Sequence, residues 1–130
     1  MSSTVVLDAS AVLRLITNDP GVDLWVEQLR QAPVVLAPEL MLTEVANVIW
    51  KLQRAGKLTW IDPQALLSDA RELVDQIEPD RHLLAEALAL ACHLDHPVYD
   101  CLYLALARRE AALLLTADRR LQQLASTALP

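Results

Sequence analysis

The sequence predicts an α/β fold around a central, mostly parallel sheet, because short apolar runs alternate with longer segments of helical periodicity. Three runs have the length and composition of buried strands, at residues 4–7, 33–37 and 111–116. Helix-length segments separate them, as crossover connections between parallel strands require. No internal repeat, low-complexity tract or linker interrupts the pattern, so residues 1–130 are expected to form a single domain.

Helices are predicted from periodicity together with capping and turn signals. They cover residues 10–16, 22–31, 38–55, 63–77, 81–94, 98–110 and a last segment from 118. Ser10 is expected to cap the first helix, and Asp62 and Pro63 are typical N-cap and first-turn residues for the fourth. The fifth is apolar around most of its circumference, which predicts a buried helix.

The charge balance restricts the functions open to the chain. Its 130 residues include 11 lysines and arginines against 17 aspartates and glutamates, for a net charge of −6. An acidic surface argues against nucleic acid as a partner, because phosphates attract basic proteins. The objection weakens if several acids bind a divalent cation, since the cation reverses the local charge and can itself contact a phosphate.

Cysteine content and hydropathy bear on the compartment. Cys92 and Cys101 both lie in apolar, helix-like segments, where packing is the expected role, and one potential pair does not indicate a disulfide scaffold. A reducing cytoplasm is therefore the expected location. The N-terminus has no basic segment before its short apolar run, and no run approaches the ~18 apolar residues of a membrane helix. We expect neither a signal peptide nor a membrane contact.

Four acidic residues stand out by position. Asp8 ends the first predicted strand and Asp118 follows the last, whereas Glu44 and Asp100 lie near the starts of long helices. In open α/β sheets, ligands bind at the carboxyl ends of the strands, where the following helices begin, so these acids are expected to converge there. Each acid taken alone also has a structural explanation, since it can cap a helix or lie on a solvated face.

Asp100 fits a purely structural explanation least well. Leu104 and Ala107 follow it at helical spacing, so its face of the helix is largely apolar, and no basic residue follows in that helix before Arg108. A buried carboxylate needs a cation, a hydrogen-bond donor or a proton. A metal ion would meet that need, and oxygen-only ligands suit the hard cations Mg²⁺ and Mn²⁺. No two of the four acids share a local motif, however, so their spacing alone does not identify a site.

The sequence resembles a known family in four segments. These are VVLDASAVL (5–13), LTEVANVIWK (42–51), VYDCLYLALA (98–107) and LLTADRRL (114–121). In order and spacing they are similar to the four motifs of PIN domains, and the most similar subgroup is the VapC toxins of bacterial and archaeal toxin–antitoxin pairs. The resemblance implies a PIN-like, three-layer α/β/α fold with an acidic pocket at the carboxyl ends of the strands.

The resemblance also implies an activity, a site and partners. Members of the family are Mg²⁺- or Mn²⁺-dependent endoribonucleases, and the implied catalytic and metal-binding residues are Asp8, Glu44, Asp100 and Asp118. Ser10 and Thr116 would have supporting polar roles. The implied partners are RNA, a second copy of the chain in a homodimer, and a VapB-like antitoxin whose C-terminal segment enters the active-site groove. Family members usually continue into a further edge strand, which we expect to be missing or displaced here, since the sequence ends at Pro130.

RNA must still approach an acidic protein. Basic residues lie just beyond three of the motifs, and they are Arg108, Arg109, Arg119 and Arg120, together with Lys51, Arg54 and Lys57. They could form a basic rim that binds RNA or be ordinary solvated surface, and the sequence favours neither interpretation.

Other functions remain to be weighed against a nuclease. A receiver domain needs paired acids near the first strand and a late lysine, and a haloacid-dehalogenase-type phosphatase needs an aspartate where Ser10 stands, so both fit poorly. The main alternative is a PIN-like module that binds RNA or protein without cleaving it. Four retained acids argue against that alternative, because a binding module has no need of them.

Overall fold

The described residues form a sheet of four parallel strands. A computed structural model describes residues 3–58 and 61–129 of the chain. The strands are β1 (Val5–Leu7), β2 (Val35–Pro38), β3 (Gln76–Glu78) and β4 (Leu113–Leu115), in the order β3-β2-β1-β4. Val5 pairs with Val35 on one side and with Leu113 on the other. The predicted α/β class and parallel sheet are confirmed, with one strand more than expected.

Helices connect the strands and cover the sheet. Within the described residues they are α1 (Ala9–Ile16), α2 (Asp23–Gln31), α3 (Glu39–Arg54), α4 (Pro63–Glu72), α5 (Leu84–Leu94), α6 (Val98–Arg109) and α7 (Arg119–Ala128). A short 3₁₀ turn, Asp80–His82, precedes α5. Asp62 caps α4 as predicted, whereas α1 is capped by Asp8 and not by Ser10.

Helix α6 is the most deeply buried of these helices. Residues 101–107 in its centre are all buried, and it packs on β1, β2 and β4 and contacts α5 and α7. Helix α3 packs on β2 and against α1 and α4. Every residue of β1 and β2 is buried, which means that both faces of the central strands are covered. Among residues 3–58 and 61–129, no helix is long and apolar enough to cross a membrane.

Strand β3 is absent from the sequence prediction, which continued the fourth helix to residue 77. Helix α4 ends at Glu72, and Asp75 then binds β2 in two ways. Its backbone N–H donates to the Val35 carbonyl at 2.8 Å, and its carboxylate accepts from the Val35 N–H at 2.7 Å. These contacts align the next three residues beside β2, so pairing with the sheet overrides the local helical pattern.

Helix α5 is partly exposed, and the prediction of a buried fifth helix is wrong. Ala87 and Leu90 are its buried residues, whereas Leu84 and Leu88 remain 48% and 56% exposed. The helix packs chiefly on α6 and not on the sheet. Only the side that faces α6 is therefore buried, although the other sides are also apolar.

The parallel arrangement gathers the ends of the strands at one edge. Asp8 connects β1 to α1, and residues 116–118 connect β4 to α7, so both connections leave the same side of the sheet. Helix α3 begins directly after β2 at this edge. Up to Leu129 no further strand follows α7, and β4 lies at one edge of the described sheet. The candidate site is therefore built where β1, β2 and β4 end.

Candidate active site

Asp8 places a buried carboxylate at the end of β1, with 4% of the residue exposed. Its Oδ1 accepts hydrogen bonds from the Ser10 hydroxyl at 2.7 Å and from the Ala11 N–H at 2.9 Å. Its Oδ2 accepts from the Thr116 hydroxyl. Burial raises the pKa of Asp8, the three hydrogen bonds oppose that shift, and the negative charge of Asp100 adds to it.

Ser10 and Thr116 join the end of β1 to the end of β4. The Ser10 hydroxyl also accepts from the Ala117 N–H at 2.9 Å, and the Thr116 hydroxyl accepts from the Asp118 N–H at 3.0 Å. The two hydroxyl oxygens lie 3.2 Å apart. Both residues thus contact Asp8 directly while fixing the backbone before α7.

Asp118 is held beside this network as the N-cap of α7. Its Oδ1 accepts from the Leu121 N–H at 3.0 Å, which satisfies one of the free donors at the start of the helix. One carboxylate oxygen of Asp118 therefore has the helix-capping role that a purely structural explanation predicts. Within the described residues the other oxygen has no hydrogen bond and remains open to a ligand.

Glu44 is half-buried on α3, and its Oε1 accepts from the Tyr103 hydroxyl at 2.5 Å. Burial raises the pKa of Glu44, and the hydrogen bond from Tyr103 opposes the shift. The negative charges of Asp100, Asp8 and Asp80 raise it further. Glu44 is consequently close to the other acids and experiences their repulsion.

Asp100 has a partner that the sequence analysis missed. The His96 Nε2 lies 2.6 Å from Asp100 Oδ2, and the two side chains are 13% and 30% exposed. The expectation that no basic residue would be near was based on the helix alone, whereas His96 lies before its start. Because a carboxylate only accepts hydrogen bonds, the proton in this contact belongs on Nε2 when Asp100 is ionised.

Sequence spacing could have identified Tyr103 but not His96. Tyr103 lies three residues after Asp100, so the two residues share one side of α6. His96 lies before the start of α6, where helical spacing does not apply. Tyr103 is 1% exposed and packs in the core, and its hydroxyl also reaches Glu44.

The four acids share a pattern: the protein binds each one and leaves oxygen lone pairs open. In the described part of the chain Asp100 Oδ1, Glu44 Oε2 and Asp118 Oδ2 have no hydrogen bond. Asp8 Oδ2 accepts one hydrogen bond and so keeps one lone pair. No ion pair among the described residues involves Asp8, Glu44 or Asp118, and His96 is the only one found for Asp100.

These oxygens have the chemistry of a site for a hard divalent cation. They are carboxylates whose mutual repulsion a cation would relieve. They are not drawn together into a closed ligand cluster, since no three His, Cys, Asp or Glu side chains within residues 3–58 and 61–129 are close enough to hold an ion by themselves. A closed cluster is not required for Mg²⁺, which keeps several water ligands and is usually bound through one or two carboxylates.

The arginines of α6 and α7 form two separate groups. Arg119 and Arg120 are exposed in the first turn of α7, directly after Asp118. Arg108 and Arg109 lie in the last turn of α6, about 12 Å along the helix from Asp100 at a rise of about 1.5 Å per residue. The first group adjoins the acids and the second does not.

The arginines of α6 and the basic residues of α3 also have local contacts. Arg108 lies 4.0 Å from Glu86, and Arg109 donates to Glu78 at 2.9 Å, which lowers the pKa of Glu78 to about 2. At the far end of α3, the Arg54 guanidinium lies 5.5 Å from the Trp50 ring centre. These residues contact other surface side chains of the same fold and lie away from the four acids of the candidate site.

A separate groove lies between α3 and α4. Its volume is about 510 Å³, and its lining includes Leu42, Thr43, Ala46, Leu67 and Arg71. None of the four acids lines it, so this groove and the four acids are different features of the surface.

Known proteins share both the sequence pattern and the fold. Residues 5–126 match the family model described as PIN domain. Ribonuclease VapC3 from Pyrobaculum aerophilum is 31% identical to the chain over 121 residues, which cover 92% of each protein.

Two solved structures resemble this one. The crystal structure of PAE2754 from Pyrobaculum aerophilum superposes with a TM-score of 0.74 at 25% identity, covering 95% of this chain and 87% of that one. The structure of VapBC2 from Rickettsia felis bound to a DNA fragment from their promoter has a TM-score of 0.61 at 12% identity, covering 97% and 95%, and shows a shared fold. Because the family model matches nearly the whole chain and VapC3 is 31% identical over 92% of it, the chain belongs to the PIN domain family and, within it, to the VapC group.

Proposed function

We propose that this protein is a Mg²⁺- or Mn²⁺-dependent endoribonuclease and the toxin of a toxin–antitoxin pair. The observation that carries the proposal is the placement of the acids: Asp8 ends β1 with a buried carboxylate, and Glu44 is half-buried nearby on α3. Burial is the main cause of the raised pKa values of both groups, and the nearby charge of Asp100 adds to each shift. Asp118 lies beside them through the Thr116 hydroxyl. Acids concentrated at the ligand-binding edge of an α/β sheet support a catalytic site, and the VapC3 ribonuclease supports RNA as the substrate.

The chain's own residues would divide the work as follows. Asp8, through the remaining lone pair of Oδ2, and Asp100, through Oδ1, would hold the ion directly or through water. When bound, the ion supplies an acidified water and offsets charge on the phosphoryl oxygens. Glu44 Oε2 and Asp118 Oδ2 would orient the attacking water, and the raised pKa of Glu44 suits a group that accepts a proton. Ser10 and Thr116 keep Asp8 fixed while RNA binds.

Membership of the VapC group supports three further proposals. The protein would be neutralised by a VapB-like antitoxin, would form a homodimer, and would act in the cytoplasm. Cys92 and Cys101 are both free thiols, the first exposed and the second buried, and a reducing compartment suits them.

A non-catalytic binding module remains the second candidate. The observation in its favour is that no three ligand side chains in the described ranges form a closed metal cluster. It explains less than the nuclease does, because it gives no reason for placing Asp8 and Glu44 where burial and neighbouring acids raise their pKa values.

Cleavage of total cellular RNA by the purified protein tests the activity. We expect discrete fragments with Mn²⁺ or Mg²⁺, no fragments with chelator, and at least about a hundredfold slower cleavage by Asp100→Asn, because a ligand to the ion is lost. Asp69→Asn, an exposed aspartate on α4, is the matched control and should cleave at the normal rate. Full activity in pure Asp100→Asn protein would overturn the site assignment.

Metal-linked stability tests the role of Asp8. Its folded-state pKa lies above the usual 3.8, so its contribution is most favourable below that pH and is lost as pH rises through the folded pKa. At pH 7 without metal, Asp8→Asn should therefore be at least as stable as the wild type in urea unfolding. With Mn²⁺ at about 100 times its Kd, the wild type should gain about 2.7 kcal/mol and the variant far less. An equal gain in both proteins would exclude Asp8 as a ligand.

Salt dependence separates the two groups of arginines. In an Asp100→Asn background, which should bind RNA without cutting it, Arg119→Gln with Arg120→Gln should flatten the slope of log affinity against log salt. Each lost phosphate contact on single-stranded RNA reduces the slope by about 0.7. Arg108→Gln with Arg109→Gln is the charge-matched control and should leave the slope unchanged. The opposite ranking of the two pairs would place the RNA path along α6.

A further inference from the structure

The Tyr103 hydroxyl is a polar group in the centre of the apolar helix α6. The residue is 1% exposed, and those on either side of it, from 101 to 107, are buried as well. The hydroxyl donates to Glu44 Oε1 at 2.5 Å, across the contact between α6 and α3. In the described residues this is the one hydrogen bond found for the Glu44 side chain.

We propose that Tyr103 is a positioning residue for the acidic pocket, where its hydroxyl holds Glu44 Oε1 and so keeps Oε2 available to a hydrated cation. The inference rests on the metal-dependent function proposed above and assigns a role within that site. Tyr103 would touch neither the metal nor the RNA, and would act through Glu44. Its hydroxyl also lies near the Ala9 N–H at the start of α1, a second contact that a Glu44→Gln background separates from the first.

Glu44 needs such a contact more than the other acids do. Asp8 has a short side chain and accepts three hydrogen bonds. Two of them come from Ser10 and Ala11, which are two and three residues further along the chain. Asp118 is fixed by a backbone N–H at the start of α7. Glu44 has a longer, more flexible side chain, lies half-exposed on α3, and is repelled by Asp8 and Asp100. Without a donor on the protein side, its carboxylate would turn toward solvent.

A purely structural role for the same hydrogen bond predicts different behaviour. A buried hydroxyl needs a partner, and Glu44 could simply satisfy Tyr103 without any part in metal binding. Removing the hydroxyl would then leave the metal affinity unchanged. If Tyr103 positions Glu44, removing the hydroxyl weakens metal binding, and only when Glu44 is present as a carboxylate.

The test is Mn²⁺ binding by calorimetry to the full chain and four variants. Tyr103→Phe removes the hydroxyl and keeps the ring that packs in the core. We expect its Mn²⁺ affinity to fall about tenfold, the lower end of the range for residues that orient metal ligands. Tyr99→Phe removes the same group from an exposed tyrosine of α6 and should bind Mn²⁺ like the wild type. Glu44→Gln alone should also bind weakly, and adding Tyr103→Phe to it should cause no further loss.

Each other outcome has a definite meaning. Wild-type affinity in Tyr103→Phe, with wild-type binding that still requires Asp8, would overturn the positioning role and leave the proposed nuclease intact. A further loss when Tyr103→Phe is added to Glu44→Gln would show that the Tyr103 hydroxyl acts by a route other than Glu44, which also overturns it. No Mn²⁺ binding by the wild type would overturn both this inference and the metal-dependent function.

Glu44→Asp provides a second variant if Tyr103→Phe does not fold. It keeps the charge and leaves Tyr103 in place, but its shorter side chain cannot both reach the hydroxyl and remain at the pocket. We expect a similar tenfold loss of Mn²⁺ affinity. Affinity equal to that of the wild type would show that the contact with Tyr103 is unnecessary.

Discussion

The burial of one carboxylate, that of Asp8, governs the arrangement of the residues around it. A charge at the end of a buried strand is costly unless donors surround it. Here two hydroxyls and a backbone N–H supply the donors, and the hydroxyls belong to Ser10 on α1 and Thr116 after β4. The same hydroxyls then accept from the backbone of Ala117 and Asp118, so the contacts that stabilise the charge also define where α7 begins.

The remaining acids follow the same principle with different partners. Glu44 is held by Tyr103 and Asp100 by His96, in each case through one oxygen. Burial raises the pKa values of Asp8 and Glu44, and neighbouring acids add to the shift, so keeping both carboxylates ionised opposes folding at neutral pH. Such a cost is typical of functional sites, where the sequence departs from what stability alone would select. A divalent cation bound at these oxygens would offset their mutual repulsion.

The sequence predicts the parts of this site that local patterns determine. Asp8 and Asp118 follow short apolar runs, and parallel strands necessarily end at one edge, so their proximity follows from the pattern alone. The partners could not be derived in the same way. The contact between Tyr103 and Glu44 spans 59 residues of sequence, and it depends on how α6 packs against α3. His96 was overlooked because it precedes the helix whose face was considered.

The errors in the fold have similar causes. Residues 76–78 carry too little periodicity to be distinguished from the end of a helix. Their pairing with β2, next to the two hydrogen bonds between Asp75 and Val35, makes them a strand. The apolar surface of α5 predicted burial, yet composition does not determine which neighbour covers a helix, and α6 covers only one side of it. The strand at 76–78 and the exposure of α5 both depend on contacts with other parts of the chain. The sequence of neither segment contains that information.

The central claim is that the four acids form one site completed by a divalent cation. Anomalous diffraction from crystals grown with Mn²⁺ tests it most directly, because the signal locates the ion without assumptions about activity. The account predicts a peak between the carboxylates of Asp8 and Asp100, with Glu44 and Asp118 around it, and no peak there in Asp8→Asn crystals. A strong peak elsewhere on the protein, or none at this edge of the sheet under saturating Mn²⁺, would contradict it.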